Sequence, residues 1–197
     1  MTQQALSTEA ARPAVGTILP RALWQASAVS LAIVGVAAGP ALVRNWRPLL
    51  AAVRRPAHAP DMAAIGQAPL AVQLHLATLL VAIACTTVLL SGVKGTRLHR
   101  VLGWTWSGAM LTTATATLFI AAAPGAPSLH VGGLRLGYLH LFALLTFISV
   151  PRAVVAARSH DVGRHAGIIA GFLMGGLGLA GLFAFLPGRL MWRVMFG

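Results

Sequence analysis

Four histidines lie near the ends of four long uncharged stretches of the chain, and the ends alternate. His75 lies early in the stretch before Lys94, and His99 opens the next; His140 lies early in the following one, and His165 opens the last. If the chain crosses a membrane up and down, His75 and His140 fall towards one face, and His99 and His165 towards the other. Haem iron accepts a ligand on each face, and neutral imidazole is a suitable ligand. The pattern therefore predicts that these four residues ligate the iron of one or two b-type haems.

The spacing of the histidines sets a geometric expectation. At a helical rise of 1.5 Å per residue, the two imidazole layers lie roughly 20–25 Å apart. Two metal–imidazole bonds of about 2 Å put the ligating nitrogens of one pair about 4 Å apart. His75 and His140 stand about two turns inside their stretches, where an unliganded ring in hydrocarbon costs several kcal/mol. Their haem is therefore predicted to be the more secure.

Basic residues beside one histidine pair are suited to hold the carboxylates of a haem. Propionates need cationic or hydrogen-bonding partners, and Arg97, Arg100 and Arg164 stand within two residues of His99 or His165. We assign these three arginines, with the four histidines, to the predicted cofactor site.

A simpler role for the histidines stays open. A histidine near a helix end can hydrogen-bond to backbone or to lipid head groups without binding a cofactor. The other three, His58, His130 and His160, lie in predicted loops and are assigned no ligand role. Copper handling is disfavoured because the methionines form no clear ladder with the histidines.

The composition is that of a polytopic membrane protein. Of 197 residues, 57% are hydrophobic and 9% are charged, against about a quarter charged in ordinary soluble domains. A bilayer core needs about 20 apolar residues per helix. The sequence predicts an all-α integral membrane bundle of five transmembrane helices, near residues 23–43, 69–93, 99–123, 135–157 and 164–186.

The distribution of charge favours lipid over nucleic acid as the partner. The net charge is +12, but the basic residues lie in loops and at helix ends, where they meet lipid head groups. The predicted location is the bacterial inner membrane, with several passes. Five spans leave eight basic residues on one side and seven on the other, so orientation stays open.

The chain divides into four parts. Residues 1–21 form a polar arm, 22–44 an N-terminal transmembrane helix, 45–68 a basic linker with prolines, and 69–197 a four-helix bundle. The first uncharged stretch, within residues 22–44, is longer than the 7–15 apolar residues of a cleaved secretory signal peptide. Its length favours a helix that stays in the mature protein. Cys85 lies alone in mid-span and is predicted to pack in the core.

The bundle contains a candidate internal repeat. His75-Leu-Ala-Thr-Leu-Leu resembles His140-Leu-Phe-Ala-Leu-Leu, and each half ends in a Pro-Gly pair, at Pro124 and at Pro187. The halves suggest a tandem duplication of one helical hairpin, with an axis along the membrane normal. Such an axis puts the two histidines of each pair at equal depth.

Missing features narrow the function. All three acidic residues, Glu9, Asp61 and Asp161, lie outside the predicted spans, which disfavours proton pumps and transporters of hard cations. No nucleotide-binding loop, zinc-protease motif or nucleophile elbow occurs. The row of Gly167, Gly171 and Gly175 is typical of close helix packing.

Several segments resemble a bacterial family of small predicted integral membrane proteins of unknown function. They are Lys94-Gly-Thr-Arg-Leu-His-Arg-Val-Leu-Gly-Trp, Tyr138-Leu-His-Leu, Arg164-His-Ala and the final Leu186-Pro-Gly-Arg-Leu-Met-Trp-Arg-Val-Met-Phe-Gly. The resemblance covers about residues 69–197. It implies that the chain belongs to this family, but it implies no activity, because the function of the family is unknown. More distantly, the plan is similar to two-haem transmembrane b-type cytochromes, in which four consecutive helices each supply a histidine. That resemblance implies the pairs His75–His140 and His99–His165.

Two functions follow as hypotheses. The first is transmembrane electron transfer through bis-histidine haem b, with quinone or a periplasmic redox protein as donor or acceptor. The alternative is a haem-free structural or accessory subunit, self-associating or packed on a larger membrane complex through its glycine row. Whether the chain is a membrane oxidoreductase or a passive carrier stays open at this level.

Overall fold

The computed structural model describes residues 59–122, 128–137, 139–185 and 189–196, with Ala28, Ala32 and Pro56 as isolated positions. The described chain is mostly helical, as predicted, with one small two-stranded sheet. The elements in order are α1 (Met62–Gly66), α2 (Leu70–Ser91), α3 (Arg97–Leu118), β1 (Ser128–Val131), β2 (Leu134–Gly137), α4 (Leu139–Arg158), α5 (Val162–Phe172), a π-helical segment (Leu173–Gly178), α6 (Leu179–Ala184) and α7 (Leu190–Phe196).

Helices α2 and α3 form a hairpin with a well-defined turn. The Lys94 ammonium donates to the carbonyl of Leu90 at 2.6 Å and so closes the end of α2. Gly95 has φ +80°, which suits a residue without a Cβ. Thr96 then caps α3, and its hydroxyl accepts the amide N–H of His99 at 3.1 Å. The cap sets His99 in the first turn of α3.

Helices α4 and α5 form a second hairpin of similar plan. Asp161 caps α5, and its carboxylate accepts the amide N–H of Arg164 at 3.0 Å. Such caps satisfy amide groups that have no partner within the helix. The next residue, His165, therefore also lies in the first turn of its helix.

A β-hairpin replaces the predicted start of the fourth helix. Strands β1 and β2 pair antiparallel from Ser128 opposite Gly137 to Val131 opposite Leu134. Gly132 and Gly133 make the turn with φ +55° and +82°, values that suit a tight hairpin. Helix α4 therefore begins at 139 and not at 135, and His130 lies in a strand and not in a loop.

The core lies where α2, α3, α4 and α5 converge. It is built on Ala82 and Cys85 from α2, Trp106 from α3, Val150 from α4 and Phe172 from α5. Cys85 is buried, as predicted. These contacts hold the two hairpins against each other and fix the helix ends that carry the histidines.

Two described helices are long and apolar enough to cross a membrane. They are α2, with mean hydropathy 2.1, and α4, with mean hydropathy 1.8. Only 11% of the most apolar part of α2 and 39% of that of α4 are buried, whereas the core helix of a soluble protein is mostly buried. Large apolar side chains such as Leu70, Leu80 and Leu90 are exposed on α2. Extended exposed apolar surface indicates contact with lipid or with another chain.

The remaining predicted spans differ from this pattern, so the described residues do not show five membrane-spanning helices. Helix α3 is as long as α2 but carries Arg97, Arg100 and several threonines. Residues 162–184 are helical throughout, but the helix changes from α to π and back. The predicted span 23–43 and the arm 1–21 lie outside the described residues, apart from Ala28 and Ala32, which are helical.

Short helices occur where none was predicted. Helix α1 lies inside the interval 45–68 that the sequence assigned to a linker, and α7 follows the last predicted span. The Asp61 amide donates to the carbonyl of Val194 at 2.9 Å, which ties the start of α1 to α7.

Candidate functional site

His99 and His165 lie beside each other at one end of the bundle. Each stands in the first turn of its helix, α3 and α5 respectively, and each is half-buried. Their ring centroids are 6.5 Å apart and the ring planes meet at 77°. The structure therefore brings together the two histidines of one predicted pair.

The ring separation fits a metal atom between the two histidines. With bonds of about 2 Å to each nitrogen and about 1 Å from nitrogen to ring centre, two axial imidazoles have centroids roughly 6 Å apart. A direct hydrogen bond of about 2.9 Å between ring nitrogens would instead bring the centroids to roughly 5 Å. The observed 6.5 Å is compatible with the first arrangement and also lies within the range of an ordinary edge-to-face contact between two rings. Open space is available too, since a Cβ added at Gly103, one turn after His99, would meet nothing within 4 Å.

The protonation of His165 is set by the backbone of α4. Its Nδ1 lies 2.9 Å from the carbonyl oxygen of Ala153, and a carbonyl can only accept, so Nδ1 carries the proton. The other nitrogen, Nε2, then has a free lone pair. Histidines that bind metals show this arrangement, with one nitrogen bonded to a carbonyl and the other to the metal.

His75 is held in the same way by α3. Its Nδ1 lies 3.0 Å from the hydroxyl of Thr117 and 3.3 Å from the carbonyl of Thr113. The Thr117 hydroxyl donates its own proton to that carbonyl at 2.8 Å, so its oxygen accepts from His75. The Nε2 atom of His75 therefore also keeps its lone pair.

His140 has a buried nitrogen without a partner. Its Nδ1 lies 3.0 Å from both the amide nitrogen and the carbonyl oxygen of Gly137. Its Nε2 is buried and makes no hydrogen bond to any described residue. Buried polar atoms nearly always have partners, and leaving one unpaired costs about 1–3 kcal/mol. A ligand on this nitrogen would remove that cost.

The second predicted pair is not brought together. His75 turns to the threonines of α3, whereas His140 turns back to β2, and no ring contact joins them among the described residues. Helix α2 packs chiefly on α3, while α4 packs on α3 and α5. The two helices that carry this pair thus share the core but make few direct contacts with each other.

The three predicted propionate partners lie at the same end as the His99–His165 pair. Arg97 and Arg100 are in the first turn of α3, Arg164 is in the first turn of α5, and all three are exposed. None of them makes an ion pair with another described residue. The carboxylate of Asp161 accepts amide protons at the start of α5. Positive charge at this end is therefore left for an anionic group from outside the described chain.

The sequence did not identify the groups that orient the histidine rings. Three of them are backbone carbonyls, at Thr113, Gly137 and Ala153, for which no residue type gives a signal. The Thr117 hydroxyl could have been found, because α2 and α3 were predicted to form a hairpin and Thr113 and Thr117 share one helical face.

Groups of three or more histidine, cysteine or acidic side chains able to hold a metal ion do not occur within the described residues. A haem does not need such a group, because its macrocycle supplies four of the iron ligands and the protein supplies at most two. The residues here that could hold a haem are His99, His165 with its free Nε2, and the nearby arginines. Comparisons with protein-family models, with curated proteins and with solved structures give no match to this chain.

Proposed function

We propose that this chain is a membrane-embedded b-type cytochrome of the bacterial inner membrane that transfers electrons to or from quinone or another redox protein. The observation that carries the proposal is the His99–His165 pair, with ring centroids 6.5 Å apart. Two imidazoles at that separation could together hold one iron atom, and they are too far apart for a direct hydrogen bond between the rings. The proposed architecture is a multi-pass bundle of five helices, four of them in two repeat-related hairpins.

The chain prepares this pair for iron in three ways. The Ala153 carbonyl holds the His165 proton on Nδ1, so that Nε2 is free to bind. The side chains of Thr96 and Asp161 cap α3 and α5. The caps fix where the two helices begin and therefore where His99 and His165 lie. Arg97, Arg100 and Arg164 supply positive charge for the propionates. A bound haem would contribute a one-electron couple whose potential the axial ligands and nearby charges set.

The proposal commits to one haem, between His99 and His165. A second haem requires His75 and His140 to face each other, and their rings make no contact here. Transfer across the whole membrane would need that second site, since one haem lies near one end of the bundle only. With one haem, the partner exchanges electrons at that end or from within the bilayer.

The accessory-subunit alternative loses its proposed contact surface. Gly167, Gly171 and Gly175 are all buried within this chain, so the glycine row already packs internally. The exposed apolar face of α2 stays available to a partner, but lipid covers such a face equally well. The free Nε2 of His165 and the buried, unpaired Nε2 of His140 support the cytochrome hypothesis, whereas the accessory hypothesis gives these nitrogens no role.

The absorption spectrum of the purified full-length protein tests the proposal. We expect a Soret band and, on reduction, the sharp α-band of a six-coordinate haem. His165→Leu should remove the six-coordinate signature, because one axial ligand is lost. The matched control is His160→Leu, an exposed histidine five residues earlier, which should keep the wild-type spectrum. A folded protein without a Soret band after expression with added haem precursor would exclude the cytochrome hypothesis.

A further inference from the structure

A groove runs along the outside of the bundle between α3 and α4. It has a volume of about 470 Å³ and is lined by Trp104 and Leu111 from α3 and by Val150, Val154 and Arg158 from α4, among others. The groove is open on one side and does not include the histidine pair. A molecule bound in the groove would therefore reach it from the lipid or solvent around the protein.

The wall of the groove is apolar except at one end. Ser107 also lines it, but its hydroxyl already donates to the carbonyl of Gly103 at 2.8 Å. Pro151, inside α4, has no amide proton to offer. The indole of Trp104 is 60% exposed. Arg158 is the charged residue of the lining, and it stands at the last position of α4.

The length of the groove matches one leaflet of a bilayer. Val150 and Arg158 are eight positions apart, which corresponds to about 12 Å along a helix. Half of a hydrocarbon core of about 30 Å is about 15 Å. Arg158 ends one of the two helices that could cross a membrane, so its guanidinium falls at head-group level while the apolar wall extends towards the centre.

The positive charge at this end of the groove would attract an anion. The Arg158 side chain makes no ion pair or hydrogen bond with another described residue, and Arg97, Arg100 and Arg164 lie at the same end of the bundle. The nearest acid in the sequence, Asp161, is used to cap α5. A guanidinium binds phosphate through two parallel hydrogen bonds.

We propose that this groove binds one anionic glycerophospholipid, with its phosphate on Arg158 and one acyl chain along Val154, Val150 and Leu111. The apolar wall selects a hydrocarbon chain, and the unpaired cation at head-group depth selects a negative head group. This inference does not depend on haem binding, and the haem hypothesis can fail without affecting it.

Native mass spectrometry of the full-length protein tests the inference. The protein is stripped of lipid in detergent and then offered an equal mixture of phosphatidylglycerol and phosphatidylcholine with matched chains. We expect one phosphatidylglycerol per chain, preferred about tenfold, which corresponds to about 1.4 kcal/mol. Arg158→Gln should remove the preference for the anionic lipid. Arg152→Gln, an exposed cation on the same helix outside the groove, should keep it.

A second variant tests the apolar wall separately. Val154→Phe fills the groove and should reduce retention of both lipids, whereas its effect on the thermal stability of the detergent-solubilised protein should be small. Quenching of Trp104 fluorescence by brominated phosphatidylglycerol gives an independent measure, with Trp104→Phe as the reference. Equal retention of both lipids by the wild type, or an unchanged preference in Arg158→Gln, would overturn the proposal. Retention of a quinone in place of the phospholipid would also overturn it.

Discussion

Trp106 and Phe172 meet edge to face, with ring centroids 5.7 Å apart and planes at 90°. Each lies seven residues, or about two helical turns, after a histidine of the His99–His165 pair. Helices α3 and α5 are thus in the same register at two successive levels. This contact belongs to the core and forms an apolar floor about two turns further into the bundle than the two imidazoles.

This floor should carry much of the stability of the bundle. Phe172→Ala is expected to lower the free energy of unfolding by about 3–5 kcal/mol, because it leaves a cavity beside Trp106. The measurement is unfolding by detergent exchange in mixed micelles, followed by circular dichroism. Phe119→Ala is the control, since that ring is 66% exposed, and it should cost far less. Equal losses in the two variants would contradict a packed floor.

A second prediction concerns the hydrogen bond at the floor. The Trp106 indole donates to the hydroxyl of Thr86 at 2.9 Å, which links α3 to α2. Trp106→Phe and Thr86→Val should each lower the free energy of unfolding by about 1 kcal/mol beyond packing changes. The double variant should lose less than the sum of the two, because both changes remove the same bond. Strict additivity in this double-mutant cycle would show that the bond contributes nothing.

The two helix caps should control how well the histidine pair is positioned. Asp161→Ala removes the side chain that accepts the Arg164 amide and should cost about 1 kcal/mol. Because the cap fixes the first turn of α5, the same change should weaken haem retention by the protein. Asp161→Asn keeps an acceptor and should restore most of both properties. A normal haem content in Asp161→Ala would show that the first turn holds without its cap.

Some parts of this arrangement could be predicted from the sequence, and others could not. The helices at 70–91 and 139–158 follow from long apolar stretches, and the meeting of His99 with His165 was predicted from the alternation of ends. The hairpin at 128–137 was missed because its first strand was assigned to a loop and the residues from 135 onwards were interpreted as already helical. That the rings of His75 and His140 have different partners and do not meet could not be predicted, because residue spacing fixes depth along a helix but not which helices pack together.

The role of His75 provides the sharpest contrast between the sequence-based expectation and the structure. From the depth of His75 and His140 in their apolar stretches, the haem between them was predicted to be the more secure. The structure instead brings His99 and His165 together. We now expect that His75→Leu keeps the haem spectrum but lowers the free energy of unfolding by about 1 kcal/mol, since its bond to Thr117 is lost. Thr117→Val should have a similar effect on stability. Loss of haem in His75→Leu, with the fold intact, would restore the sequence-based assignment.

The number of haems per chain distinguishes the one-site arrangement from the two-site one. Within the described residues only the His99–His165 pair meets, so haem extraction from the wild type should give one haem per chain. His140→Leu should leave that ratio unchanged. Its stability should change little, because the loss of the contacts to Gly137 is offset by removal of the unpaired buried Nε2. His99→Leu, by contrast, should reduce the ratio towards zero. A wild-type ratio of two, falling to one in His140→Leu, would mean that the buried nitrogen binds a second iron and that α2 and α4 approach each other more closely in the membrane than they do here.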